Sequence, residues 1–130
     1  MREIQTTDAP ESIGPFSQGI VQENTIYVSG QGPIDPDTGE IIGASPGEQT
    51  RQTLENVEAI LKAAGASLAD VVKTTVFIND MRYYDEVNEV YAERLSEPYP
   101  ARSAVEVVKL PVDIDVEIEV TAAVPDHQLE

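Results

Sequence analysis

The chain has 130 residues, 24 of them acidic against 8 basic, a formal net charge of −16, no cysteine and a single histidine. That length suits one domain spanning residues 1–130, able to bury roughly 65–70% of its unfolded surface around a single core, and the charge repels phosphate backbones, which argues against nucleic acid as a partner. Without thiols there are no disulfides, no thiolate catalysis and no sulfur-ligated metal, and His127 stands alone in a polar tail, so no metal centre is expected.

The sequence shows neither a basic and apolar leader nor an apolar run near the ~18 residues of a membrane-spanning helix, so a soluble, cytoplasmic protein without a membrane partner is expected. An edge segment at residues 3–5 leads into a loop, 8–17, that Pro10, Gly14 and Pro15 keep out of regular structure. Residues 20–22 and 25–29 read as short strands flanking Glu23-Asn24, the spacing of a tight hairpin. Pro33, Pro36 and Gly39 then break the chain before another short strand at 40–42. Ser45 reads as an N-cap with Pro46 in the first helical position, Glu48 completes a capping box, and Gly65 follows the last periodic residue. Between them Leu54, Val57, Ile60, Leu61 and Ala64 recur at three- and four-residue steps, leaving Glu55, Glu58 and Lys62 for water.

Residues 71–78, β-branched and aromatic, predict a central strand ended by Asn79-Asp80. A second helix is predicted over residues 82–96, with Tyr84, Val87, Tyr91 and Leu95 as its apolar stripe and Asp85, Glu86, Glu89 and Glu93 as its solvated side. Pro98 and Pro100 stop it, and two longer strands follow at 103–109 and 114–124. The order is β-β-β-α-β-α-β-β, an α+β pattern. Two amphipathic helices cover only one side of such a sheet, so the other side faces solvent, a second layer or another subunit. In the last strand Val116, Ile118 and Val120 alternate with Asp115, Glu117 and Glu119, which sends the apolar set under the helices and the carboxylates to the free face. Tyr27, Ser29, Thr75 and Phe77 join that free face by the same alternation, a mixture that suits a subunit interface containing polar pockets.

Several candidate chemistries fail on their residues. Asp35-Pro36-Asp37-Thr38-Gly39-Glu40 looks like a calcium loop but lacks the third acidic ligand, the placed glycine and the distant bidentate glutamate. Glu117 and Glu119 lie about 6.6 Å apart along a strand, as glycosidase carboxylates can, but a chain this acidic produces such pairs by chance. Ser17, Ser29 and Ser103 have no Gly-x-Ser-x-Gly elbow and no histidine outside the tail, which leaves serine hydrolysis without its base. Arg102 differs. It is one of five arginines, it sits between Pro100 and a strand expected to be partly buried, and a buried guanidinium needs an anion, either a structural carboxylate or a ligand.

At Pro100-Ala101-Arg102-Ser103-Ala104-Val105-Glu106-Val107, then Leu110-Pro111 and Val116-Glu117-Ile118-Glu119, the chain resembles the RidA (YjgF-type) family of enamine/imine deaminases. Further blocks in register are 13–19 (Ile-Gly-Pro-Phe-Ser-Gln-Gly), Val28-Ser29-Gly30-Gln31, Asp37-Thr38-Gly39-Glu40, 49–57 and 72–77, so the resemblance runs from about residue 3 to 124. It implies a chorismate-mutase-like α+β fold of the bacillus type, a homotrimer whose sheets meet in a barrel-like core, and clefts between subunits. It also implies hydrolysis of 2-imino acids such as 2-iminopropanoate and 2-iminobutanoate, released by pyridoxal-phosphate enzymes, to 2-oxo acids and ammonia, with no cofactor. By the same resemblance Arg102 grips the substrate carboxylate, Glu117 positions and activates water, Ser29, Gly30 and Asn88 line the pocket, and the Ala104 carbonyl holds the water or the departing nitrogen.

Two positions depart from the family pattern: Phe16 stands where a tyrosine is usual, which removes one hydroxyl from the cleft, and Ala104 replaces a common cysteine but keeps the carbonyl. The alternative reading is a trimeric small-carboxylate-binding or regulatory module without efficient turnover, motivated by Phe16. Nuclease or translation-inhibitor activity, ascribed to some members, conflicts with the charge. Self-repulsion at −16 also predicts a protein suited to a salt-rich cytoplasm. Its thermal midpoint is expected to rise between about 0.1 and 1 M salt, as the screening length falls from about 10 to 3 Å; a salt-independent midpoint in calorimetry points instead to an ordinary acidic protein.

Overall fold

In a computed structural model that describes residues 1–125, and so leaves His127 outside the described residues, the apolar periodicities above become one sheet carrying two helices. The strands are β1 (Arg2–Ile4), β2 (Gly19–Gln22), β3 (Thr25–Gln31), β4 (Val71–Ile78), β5 (Ala101–Glu106) and β6 (Val116–Ala123); the helices are α1 (Pro46–Ala63) and α2 (Tyr84–Arg94). The spatial order is β1-β2-β3-β6-β4-β5, in which only β4 and β5 run parallel, joined by the crossover through α2. Leu54, Val57, Ile60 and Leu61 of α1 and Val87 and Tyr91 of α2 bury themselves against Val76, Val116 and Ile118 on one sheet face. Among the described residues the other face has no helix on it. Tyr27, Val72 and Val105 stand 50%, 52% and 40% exposed there, where a solvated sheet face would carry polar groups.

The caps explain where α1 starts and stops. Ser45 Oγ accepts from Glu48 N at 3.2 Å, but the Glu48 carboxylate returns to Ala44 N at 2.8 Å rather than to Ser45 N, so the second half of the expected capping box sits one residue further out. Gly65 takes φ +79°, which lets Gly65 N reach Lys62 O at 3.0 Å and Ala66 N reach Leu61 O at 2.9 Å.

Expected bounds shift in α2, β5, β6 and the segment at 40–42, in the strands for reasons of pairing. A 3₁₀ turn over Met81–Tyr83, capped by Asp80 accepting from Arg82 N at 2.9 Å, precedes α2, which ends at Arg94 where Leu95 turns extended and buried. β5 begins at Ala101 instead of 103 and stops at Glu106, because its partner β4 ends at Ile78; one further bond, Val107 N to Ile78 O at 2.9 Å, exhausts the ladder. β6 starts at Val116 for the same reason, Ile78 being its last partner. The strand expected at 40–42 reduces to a single bridge, Ile34 to Ile41, with left-handed glycines at Gly39 and Gly43 on either side.

The turn-rich stretch before α1 is held from the helix. Buried Asn56 donates both amide hydrogens, to Gly32 O and Ile34 O at 2.9 Å each, while its oxygen accepts from Gln52. Asn56→Ala leaves those two carbonyls without a donor and is expected to lower unfolding stability by about 1–3 kcal/mol at unchanged m-value in urea titrations.

Candidate functional site

β3 and β6 build one half of the candidate site on the free face. Their ladder shifts register between Val28 and Gln31, a bulge that carries Ser29 and Gly30 past Glu117. A Cβ at Gly30 would lie 2.5 Å from Glu117 Oε2, so the carboxylate occupies the space a side chain would take, and any larger residue there would displace it. Ser29 Oγ donates to Ser17 O at 2.6 Å, which ties the bulge to the loop bearing Phe16. Phe16 N bonds Gly14 O at 2.8 Å, and its ring stands half exposed. Glu117 is half-buried. Burial pushes its carboxyl above the ordinary value of 4.5, the negative charge of Glu119 adds to the shift, and among the described residues no salt bridge offsets either.

The other half lies between β5 and α2. In the parallel register Arg102 is the partner of Thr74, which is buried beneath α2, so the Arg102 side chain points to the helix side of the sheet. Its Nη1 donates to Asn88 Oδ1 at 2.7 Å and its Nη2 to Tyr84 Oη at 2.9 Å. The guanidinium carbon lies 4.9 Å from the Tyr91 ring centre and 5.6 Å from that of Tyr84. Ala104, two residues along, faces the same side and packs against the core. The other arginines on or beside the helices have acids: Arg51 pairs with Glu93, Arg82 with Asp80, and Arg94 with Glu55 and Glu58. Among the described residues no carboxylate pairs with Arg102, which keeps its charge uncancelled, with Nε–H and one hydrogen on each Nη still to give.

The residues singled out in the sequence therefore fall into two groups. Ser29, Gly30 and Glu117, with Phe16 linked through Ser17, form one; Arg102, Asn88 and Ala104 form the other. Glu117 faces Phe77 on β4 and Arg102 faces Thr74, an odd step along that strand, so within one chain the sheet separates the guanidinium from the carboxylate. The surface cavities of about 370 and 920 Å³, lined by residues such as Glu58 and Lys62 in the first and Glu11 and Phe16 in the second, contain neither Arg102 nor Glu117. In the sequence Tyr84 and Tyr91 belong to the apolar stripe of the second helix. The signal available was their spacing with Asn88: positions 84, 88 and 91 share one helix face, and a polar residue in an aromatic stripe marks a polar neighbour opposite.

Residues 6–124 match the family model described as Endoribonuclease L-PSP. The chain is 54% identical over 119 residues to a RutC family protein of Pyrococcus horikoshii, covering 92% of this chain and 94% of that one. It is 47% identical over 122 residues to the 2-iminobutanoate/2-iminopropanoate deaminase of Escherichia coli K12, again covering 92% and 94%. The crystal structure of E. coli TdcF with bound serine superposes with a TM-score of 0.89 at 43% identity, covering 95% of this chain and 98% of that one.

A carboxyl raised by burial holds its proton more tightly in the folded chain than in the unfolded one. Its contribution to stability is complete below about pH 4.5 and is lost as pH rises through the higher folded value, the reverse of a salt-bridged carboxylate. Glu117→Gln is expected to flatten the fall in thermal midpoint just above pH 4.5, whereas parallel profiles for the two proteins would show an ordinary carboxyl.

Proposed function

Because the chain belongs to the endoribonuclease L-PSP family, the RidA (YjgF-type) proteins, we propose that it hydrolyses 2-imino acids such as 2-iminopropanoate and 2-iminobutanoate to 2-oxo acids and ammonia. The observation that carries the reading is Arg102: a half-buried guanidinium without an acidic partner in a chain holding 24 acids. An unneutralised planar cation with donors to spare suits a carboxylate, which accepts two parallel charge-assisted bonds worth roughly 1.5–3 kcal/mol each. A serine-bound relative of closely similar fold supports a small carboxylate as the ligand class.

Glu117 supplies the proton chemistry. With its basicity raised by burial, it takes a proton from water as the oxygen adds to the imine carbon and passes it to the nitrogen, giving the carbinolamine; it then takes the hydroxyl proton as the carbonyl forms and delivers it to the nitrogen, which leaves as ammonia when the C–N bond breaks. Ser29 and Gly30 shape the wall beside it, and the Ala104 carbonyl accepts from the water or the departing nitrogen. Imines already hydrolyse in water, so orientation by Arg102 and one general base suffice, without metal or covalent intermediate.

Since Arg102 and Glu117 lie on opposite sides of one sheet, the working site takes the Arg102 half from one chain and the Glu117 half from another. A homotrimer, with the uncovered sheet faces turned inward and the clefts between neighbours, accounts for the exposed Tyr27, Val72 and Val105. The proposed location is the cytoplasm; no helix among the described residues is long and apolar enough to cross a membrane. RNA cleavage is disfavoured by the net charge of −16. The carboxylate-binding module stays the second reading because the half-exposed ring of Phe16 brings no hydroxyl to the cleft.

Coupled to a pyridoxal-phosphate dehydratase that generates 2-iminobutanoate, in high salt, the protein is expected to accelerate ammonia release. Glu117→Gln should lower the rate by about 10²–10⁴-fold, and Arg102→Ala should abolish both turnover and 2-oxobutanoate binding. Release at the spontaneous rate with 2-oxo acid binding intact selects the module, and sedimentation as a monomer removes the shared site.

A further inference from the structure

Arg102 has more support than an anion grip by itself requires. A guanidinium that gives up hydration commonly takes a carboxylate in exchange, and here every partner is neutral: the Asn88 amide oxygen at Nη1, the Tyr84 hydroxyl at Nη2, and the faces of Tyr91 and Tyr84 at 4.9 and 5.6 Å. We propose that Tyr84 and Tyr91 are positioning residues that fix the plane of the Arg102 guanidinium while leaving its charge uncancelled for a ligand. The assignment rests on Arg102 as the anion-binding group of the preceding reading and deepens it.

The geometry supports a rigid mount. Bonds to both Nη atoms from two residues one helical turn apart restrain rotation about Nε–Cζ, which a single bond would leave open. The Tyr91 ring is itself anchored, because its hydroxyl shares a 2.9 Å bond with buried Thr74 Oγ1, and Thr74 is the strand neighbour of Arg102. Arginine, ring, threonine and strand thus close a circuit that joins α2 to the β4–β5 edge. An acid at position 84 would hold the guanidinium as firmly and cancel the charge that a carboxylate ligand needs; a hydroxyl holds it and does not. The Tyr84 bond can be removed without touching the core, since Tyr84→Phe keeps the half-buried ring in place, whereas Tyr91 is buried.

The test follows Arg102 in the ligand-free, full-length protein by its side-chain Nε and Nη NMR signals, and separately measures 2-oxobutanoate affinity and imine turnover. Tyr84→Phe removes the acceptor and keeps the ring; Tyr83→Phe, which removes a neighbouring hydroxyl not bonded to Arg102, is the control. Slow Nη rotation is expected in the wild type and in Tyr83→Phe and faster rotation in Tyr84→Phe, with an unchanged thermal midpoint. A rise of about 3- to 10-fold in the 2-oxobutanoate Kd and in KM should accompany it at nearly constant kcat, the size of one hydrogen bond. Tyr84→Leu, which also removes the ring face, should weaken binding further. Arg102 signals in Tyr84→Phe that match the wild type overturn the proposal, as does a loss of kcat alone. A wild type that hydrolyses no imine, while Tyr84→Phe still loosens Arg102, overturns only the deaminase reading.

Discussion

β6 lies between β3 and β4, and its side-chain alternation divides the molecule into two working halves. Val116, Ile118, Val120 and Ala122 are pressed beneath the helices, and Glu117, Glu119 and Thr121 emerge on the far side. A slip of one residue would send every carboxylate into the core, so hydrophobic burial holds Glu117 in register on the free face. The same packing makes that face unusual. Glu117 is half-buried by the bulge at Gly30, close enough that its carboxyl loses hydration and gains basicity, while its neighbour Glu119 stays exposed.

Arg102 presents the complementary constraint from the opposite side. In a chain with three acids for each base, the arginines at the helices find carboxylates, and those exposed pairs contribute little to stability. Arg102 is kept from such a partner by its surroundings: the α2 residues that reach it are Tyr84, Asn88 and Tyr91, while the acids of that helix, Asp85, Glu86, Glu89 and Glu93, are exposed and turned elsewhere, Glu86 to Gly47 N and Glu93 to Arg51 of α1. Helical spacing therefore separates the guanidinium from the many carboxylates that would neutralise it. One cation held ready and one carboxyl held basic are the two elements that the proposed imine hydrolysis needs, and the sheet between them is why the proposed site draws on two chains.

Much of this was legible in the residues. The Ser45-Pro46 start and Gly65 end of α1, the buried stripes of both helices and the inward set of β6 follow from periods of 3.6 and 2 and from capping chemistry, all of which act over a few residues. Strand ends were less legible, because β5 and β6 stop where β4 runs out of partners at Ile78, a fact of another segment. The second half of the capping box moved to Ala44 for a similar reason, since the rotamer of Glu48 answers to the incoming loop rather than to the motif. Tyr84 and Tyr91 show as apolar periodicity, and Asn88 on the same face marks a polar neighbour without saying that it is a cation.

By itself the sequence determined the α+β pattern, the one-sided helices, the unusual standing of Arg102 and the face on which Glu117 would emerge, because each depends on chemistry repeated within one segment. Tertiary structure decided that Arg102 has only neutral partners, that Gly30 makes room for the Glu117 carboxylate, and that the two groups stand on opposite sides of the sheet. Those outcomes depend on which strands pair and in what register. Pairing brings together residues as distant as 30 and 117, or 74 and 102, through the burial of a shared core, and no local pattern in either segment encodes the other.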